Sequence, residues 1–492
     1  MIKSEYEVVF GGRKMRTNPH IIEINARAWF RKIQRENPDV VTLGDVPESY
    51  LLEVKEWGFD ALWLMGVWKE SAAAREIARA DAGVNEGIRK VVPDYSSEDI
   101  MGSPFAVLDY AVDEMFGGNE ALLKFKERLN GLGVALILDF VGNHLAVDHP
   151  LTLSDPDIFV HSKIEPDDKD TFFLTENGDW LAHGKDPHTP AWTDTVQLNL
   201  FDPRARDLVI SQILDVAKLC DGVRCDVVMV MLNKIFKETW GGYVGEASAE
   251  ELWAEVIGRA HEKNPEFMFI AEVYWGLEWE VQELGFDYTY DKVIYDRLLM
   301  STPSDVRGHL GAEHIYQARS VRFVANHDED SPIAVFGLER SKAAAVAALT
   351  GVGARMFTLD QLYGSKYRLP VQYVSDSDDV DYAVFDFYKK LLAAIDQPCF
   401  HDGEWELVEA GRAEGDDDGF ENVFAWSWTL GDTRKIVVVN YSDGFIRCAV
   451  AVDGALEMMR EEFAQSDAGV QIEEGGFELG MGPYEVMVLS VG

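Results

Sequence analysis

The chain has 492 residues, 47% of them hydrophobic, and a formal net charge of −41 at pH 7. That apolar content excludes a disordered polymer, and the length allows a large core and more than one domain. The charge excludes a phosphate-backbone partner, so no nucleic acid is expected; it also implies self-repulsion that salt would screen, as in a protein adapted to a salty interior.

No apolar run is long enough for a transmembrane helix, so no membrane partner is expected. Met1–Tyr6 lacks the apolar centre of a signal peptide. Cys220, Cys225, Cys399 and Cys448 have neither metal-ligand spacing nor a disulfide pattern. A reducing cytoplasm is the expected location.

Along the chain, apolar strands alternate with amphipathic helices, which is the signature of βα units and a parallel sheet. Strands are expected at 21–27, 61–65 and 134–139. Helices are expected at 45–57 and from Asn119, as cap, to near Gly131. Residues 145–200, rich in Pro, Asp, His and Thr, break the rhythm and read as an inserted, loop-built domain. The rhythm returns with a helix over 204–219 and the strand 222–228. Ser248 and Glu251 form a capping-box pattern for a helix ending at Asn264. Further strands are expected at 267–272, 286–290, 321–326 and 355–359, with helices at 341–349 and 381–395.

Eight strands alternating with helices fit a (β/α)₈ barrel. The barrel is read as 1–144 and 201–397, with 145–200 inserted after the third strand. From residue 398 the character changes. The 424–428 and 435–439 strands around Gly431-Asp432 read as a hairpin, and 484–489 reads as a last strand. Residues 398–492 are therefore expected to be an all-β sandwich. The acidic runs Glu165–Asp168, Asp376–Asp379 and Asp416–Asp418 read as solvated loops.

Catalytic groups in such barrels lie at the C-terminal strand ends. Here the third strand ends in Asp139-Phe140-Val141-Gly142-Asn143-His144 and the fourth carries Arg224 and Asp226. The fifth ends in Glu272, and the seventh runs into Asn326-His327-Asp328. Arg224 and Asp226, two apart on a strand, face the same side, so the guanidinium can hold the carboxylate ionised. Taken singly, each residue has a plain structural explanation: an ion pair, a hydrogen-bonded imidazole or a solvated acid. Their order on successive strands makes the case for a site.

These four segments resemble the conserved regions of the α-amylase family of glycoside hydrolases. Gly66-Val67-Trp68 and Ser103–Tyr110 resemble the family as well. The resemblance implies a retaining enzyme with Asp226 as nucleophile, Glu272 as acid and base, and Asp328 binding sugar hydroxyls and distorting the ring. It implies that Arg224 orients Asp226, that His144 and His327 bond the sugar, and that Asp139 supports the site. Phe105 stands where many members place a stacking Tyr.

Retention needs carboxyls about 5–5.5 Å apart, and neighbouring strands lie about 4.8 Å apart. Arg224 beside Asp226, with no basic neighbour in sequence for Glu272, would leave the first ionised and the second protonated.

Two departures from the family stand out. Met229-Val230 replaces a Lys-His pair, and Gln197 replaces an aspartate that often binds calcium. Asn143 alone does not make an oxygen cage, so no cofactor and no metal are expected. The implied substrate is an oligosaccharide or α-glucan, in maltodextrin or starch-like form. Glucanotransfer at the same site, or a non-catalytic sugar-binding relative, are the alternatives. Trp63, Trp68 and Trp192 are the aromatic residues expected nearest the mouth.

Overall fold

The computed structural model describes residues 9–10, 13–375, 380–413, 418–452, 459–464, 470–473 and 475–491. Met1–Tyr6, Asp376–Asp379 and Asp416-Asp417 lie outside the described residues. The remaining acidic run behaves as read, with Glu165, Asp167 and Asp168 exposed in a loop.

Eight parallel strands close a barrel in chain order. They are β1 (His20–Asn25), β2 (Ala61–Met65), β3 (Ala135–Phe140), β4 (Gly222–Cys225), β5 (Met268–Ala271), β6 (Tyr288–Tyr290), β7 (Ser320–Arg322) and β8 (Ala354–Thr358), with β8 paired to β1. Every residue of β2, β3, β4 and β5 is buried. Strands covered on both faces select continuous apolar runs, which is why these were legible.

Several strands are shorter than their apolar runs. The 222–228 run leaves the sheet after Cys225, and Phe323–Asn326 is buried without ladder pairing. Burial makes both runs apolar, but the barrel's ladder hydrogen bonds end where the chain passes into the loops after the strands.

Two expected caps are replaced. The helix Gly118–Gly131 starts from Gly117 at φ 87°, while Asn119 Oδ1 accepts the Val112 N–H. The helix Leu252–Lys263 has no capping box. Glu251 accepts the Asn233 N–H, and Ser248 Oγ accepts that of Glu250. Asn119 and Glu251 are taken by partners outside the helix, while Ser248 bonds a backbone N–H two residues on.

The 145–200 insertion is loop-built. His144–Ala146 pairs with Thr195–Gln197, and three short strands form a separate sheet. A second excursion, 66–117, was not separated by sequence. It carries the Trp68–Glu70/Val107–Val112 pair and the helices Ala72–Ala80 and Ala82–Val91.

Beyond residue 403, five- and four-stranded antiparallel sheets follow. In Val423–Leu430 and Thr433–Asn440 both faces are apolar because each face has a partner. Val423, Ala425, Ile436 and Val438 meet Val450, Phe477 and Leu479 of the second sheet. Phe424, Trp426, Trp428, Val437 and Val439 join the barrel core instead, and Trp428 Nε1 donates to Thr350 O at 2.8 Å. The small domain is thereby fastened to the barrel through one continuous hydrophobic cluster.

Candidate active site

A cleft of about 1180 Å³ opens over the C-terminal strand ends. Asp226, Glu272, Asp328, His144, His327 and Phe105 all line it. Arg224 and Asp139 lie beneath, fully buried. Every site residue named from sequence is therefore in or directly under one opening.

Arg224 is the hub. Its Nη1 donates to Asp226 Oδ1 at 2.6 Å, and its Nη2 lies 2.7 Å from Glu272 Oε2. Glu272, which has no basic neighbour in sequence, gains one in space, so the asymmetry expected from Arg224 serving Asp226 alone is corrected. The register places Cys225 beside Ala271, so the two following acids share one guanidinium. Trp63, Phe105 and Tyr290 surround the guanidinium carbon at 5.2–5.7 Å, so the cation is held by ring faces as well as by carboxylates.

Behind Asp226 the backbone is strained. Val227 has φ 38°, a left-handed conformation that a β-branched residue rarely adopts. The turn is fixed by two bonds to one partner. The Val227 N–H donates to Glu272 Oε2 at 2.7 Å, and the Val228 N–H donates to Glu272 O at 2.9 Å. Tyr274 donates its hydroxyl to Glu272 Oε1 at 2.9 Å.

Burial sets the protonation of the acids. Desolvation pushes Glu272 up to about 7 against the pull of Arg224, with the charges of Asp226 and Asp328 adding to the rise. Burial also raises Asp226, opposed by the charge and direct hydrogen bond of Arg224. Asp328 is held well below the usual carboxylate range. Desolvation opposes this, and the His327 imidazolium outweighs it. The site thus separates an acid that keeps its proton near neutrality from a carboxylate that does not.

The two histidines differ in kind. Burial pushes His144 down to about 4, so it is neutral at pH 7. His327 is raised well above its ordinary range. Burial works against the charge, but the carboxylates of Asp328 and Glu23 prevail. Phe105 stacks on the His327 ring at 5.0 Å. Asp139 accepts from Trp63 Nε1 at 3.1 Å and from the Gly66 N–H at 2.9 Å, tying β3 to the loop after β2.

Trp63 and Trp68 are buried rather than at the mouth; their indole N–H groups hold Asp139 and its carbonyl. Trp192 does line the cleft. Trp275, at φ 68°, lines it too and meets His188 edge-on at 4.8 Å. Trp275, Tyr274 and Glu23 were missed by sequence reading. Glu23 carried a signal, because it is a lone charge inside Ile21-Ile22-Glu23-Ile24.

The residues around Asn143 do not fit a bound calcium. Gln197 Nε2 donates to Asn143 O at 2.9 Å, Asn143 Oδ1 at 2.9 Å and Leu198 O at 3.1 Å. An amide nitrogen sits where those oxygens converge, and calcium takes oxygen ligands only. Among the described residues one other group, His20, Asp396 and His401, has ligand atoms within 4.8 Å. It lies at the opposite end of β1, where Arg16 pairs with Asp396 at 2.5 Å and Arg355 approaches His20 at 3.0 Å. Those cations make it a poor metal site.

No protein-family model matches the chain. The α-amylase MalA of Haloarcula japonica is 25% identical over 333 residues, which are 65% of this chain and 44% of that protein. The match thus spans less than half of that relative's length. The maltogenic α-amylase AmyB of Thermotoga neapolitana has the same fold, with TM-score 0.68, 18% identity, and 97% and 99% of the two chains covered. The α-amylase of Geobacillus thermoleovorans, solved with acarbose, gives TM-score 0.65, 17% identity, and 97% and 99% coverage. The chain thus resembles an α-amylase in sequence over part of its length, and it shares with solved α-amylases the (β/α)₈ barrel and C-terminal β domain.

Proposed function

We propose that the chain hydrolyses α-glucosidic bonds in maltodextrins or related α-glucans, with retention, through a covalent glycosyl-enzyme intermediate. The single observation that carries this reading is the pair Asp226 and Glu272, on neighbouring strands, sharing one guanidinium at the floor of a cleft.

Asp226 attacks the anomeric carbon while Glu272 gives its proton to the departing glycosidic oxygen. The electron pair of the broken bond stays with that oxygen, and a carbon–oxygen bond forms to Asp226. Glu272, now a carboxylate, takes a proton from water, which attacks the same carbon and releases Asp226. Asp328 binds sugar hydroxyls, and Arg224 keeps Asp226 oriented. His144 and His327 complete the sugar's hydrogen bonds. The named amylase relatives, one of them solved with acarbose, support an α-glucan as substrate.

Proton NMR of maltoheptaose cleavage tests this: the α-anomer of the new reducing end appears first. Initial release of the β-anomer, or no cleavage, refutes it. Transfer to an acceptor sugar is the second reading, and the apolar Met229 in the cleft wall favours it. Longer oligomers made from maltotriose would mean transfer; glucose and maltose would mean hydrolysis. We propose further that the site works without calcium, on the strength of the Gln197 amide.

A further inference from the structure

We propose that Glu23, on the first barrel strand, is a positioning residue for this reaction: through His327 it fixes the doubly protonated imidazole that faces Asp328. The proposal rests on the glycosidase reading above.

The geometry is a line of three groups. Glu23 Oε1 lies 2.7 Å from His327 Nδ1, and His327 Nε2 lies 3.1 Å from Asp328 Oδ2. Carboxylate oxygens only accept, so both ring nitrogens must donate, and a ring with two donors is a cation. A neutral ring would turn one lone pair toward a carboxylate. The ring itself cannot turn away, because Phe105 stacks on one face and Trp63 meets it edge-on at 5.5 Å. Glu23 and His327 are 304 residues apart in sequence, so barrel closure between β8 and β1 brings them together.

The other charged groups do not replace Glu23. Asp328 reaches the ring from its own loop and is half exposed. Asp139 on β3, and Asp226 just past the end of β4, act on the ring through space. Arg224 on β4 contributes a like charge beneath Phe105. Arg368, after β8, donates to the His327 carbonyl at 3.2 Å, not to the ring. Glu329 nearby is paired with Lys292 at 3.2 Å. Glu23 is the buried carboxylate in direct contact with Nδ1.

Its second oxygen, Oε2, has no hydrogen-bond partner among the described residues, nor has Asn326 Nδ2. Glu23 and Asn326 line a second, small cavity of about 90 Å³ that shares His327 and Glu329 with the cleft. One oxygen is thus committed to His327, while the other is free of any competing cation.

The test reads the ring directly. The protein carries 11 histidines, so ring-labelled histidine is followed by NMR, with His327 assigned by His327→Asn. In the unliganded wild type, the His327 midpoint lies well above that of an ordinary histidine, so the ring is still an imidazolium where a free one has lost its proton. In Glu23→Gln, which keeps the shape and an acceptor but removes the charge, the midpoint falls by about 1–3 pH units, the usual effect of losing a contacting opposite charge. The alkaline limb of kcat/KM on maltoheptaose then steepens and moves down, because a second proton becomes limiting; a merely structural role would lower activity equally at all pH values.

Three results would overturn the proposal: an ordinary His327 midpoint in the wild type, an unchanged midpoint in Glu23→Gln, or superposable pH profiles. The wild-type measurement needs no variant to fold. The NMR readout needs no turnover, so it separates failure of this inference from failure of the glycosidase reading.

Discussion

Raising the pH should switch the enzyme off through Glu272. Its carboxyl is lifted from an ordinary 4.5 to about 7, chiefly by burial. At pH 7 about half the molecules then carry the proton, whereas an ordinary glutamate would retain it in about one molecule in 300. Above that point each pH unit removes about nine-tenths of the remaining acid form. For maltoheptaose, whose leaving oxygen needs a proton, kcat/KM should therefore fall about tenfold per unit above about pH 7. A 4-nitrophenyl maltoside, whose leaving group needs little protonation, should show a much shallower limb. Glu272→Gln should cost about 10²–10⁴-fold on maltoheptaose and less on the aryl substrate.

The stability sign follows from the same shift. The fold binds this proton more tightly than the unfolded chain does, so its stabilisation is complete below about pH 4.5 and is lost as pH rises through about 7. The assay is kcat/KM against pH on both substrates at constant ionic strength. A maltoheptaose profile flat to about pH 9, or a Glu272→Gln enzyme of near-normal activity, would refute the assignment.

Asp226→Asn should lower kcat on every α-glucoside by more than about a thousandfold while leaving the thermal midpoint close to wild type; near-normal turnover would exclude Asp226 as nucleophile. A chelator should leave activity and thermal midpoint unchanged, whereas Gln197→Ala should cost about 1–3 kcal/mol because three buried carbonyl acceptors lose their donor. A midpoint that collapses with chelator would show that a metal is needed after all. With a net charge of −41, the thermal midpoint should rise with added salt as self-repulsion is screened, and a salt-independent midpoint would remove the case for adaptation to a salty interior.

Much of this molecule was legible in one dimension because burial leaves a local mark. Ala61–Met65 and Ala135–Phe140 read as strands because both faces of a parallel barrel strand must be apolar. Asp226, Glu272 and Asp328 stood out as charges ending such runs, and a period of two put Arg224 on the side of Asp226. The α-amylase resemblance then supplied their expected roles.

What the chain could not show locally depended on closing the barrel. Nothing near Glu272 in sequence announces Arg224, yet a one-residue register between β4 and β5 puts both acids on the same guanidinium. Asn119 looks like a cap until the Val112 N–H claims it, and the Ser248–Glu251 box fails because Glu251 is taken by the Asn233 N–H. Glu23 and His327 meet because the eighth strand pairs with the first, a contact that no local pattern encodes. Local composition thus determined which segments are buried and where charge is tolerated. Only the closed sheet, through its register, decided which charges touch, and those contacts, set against burial, tune the proton on each acid.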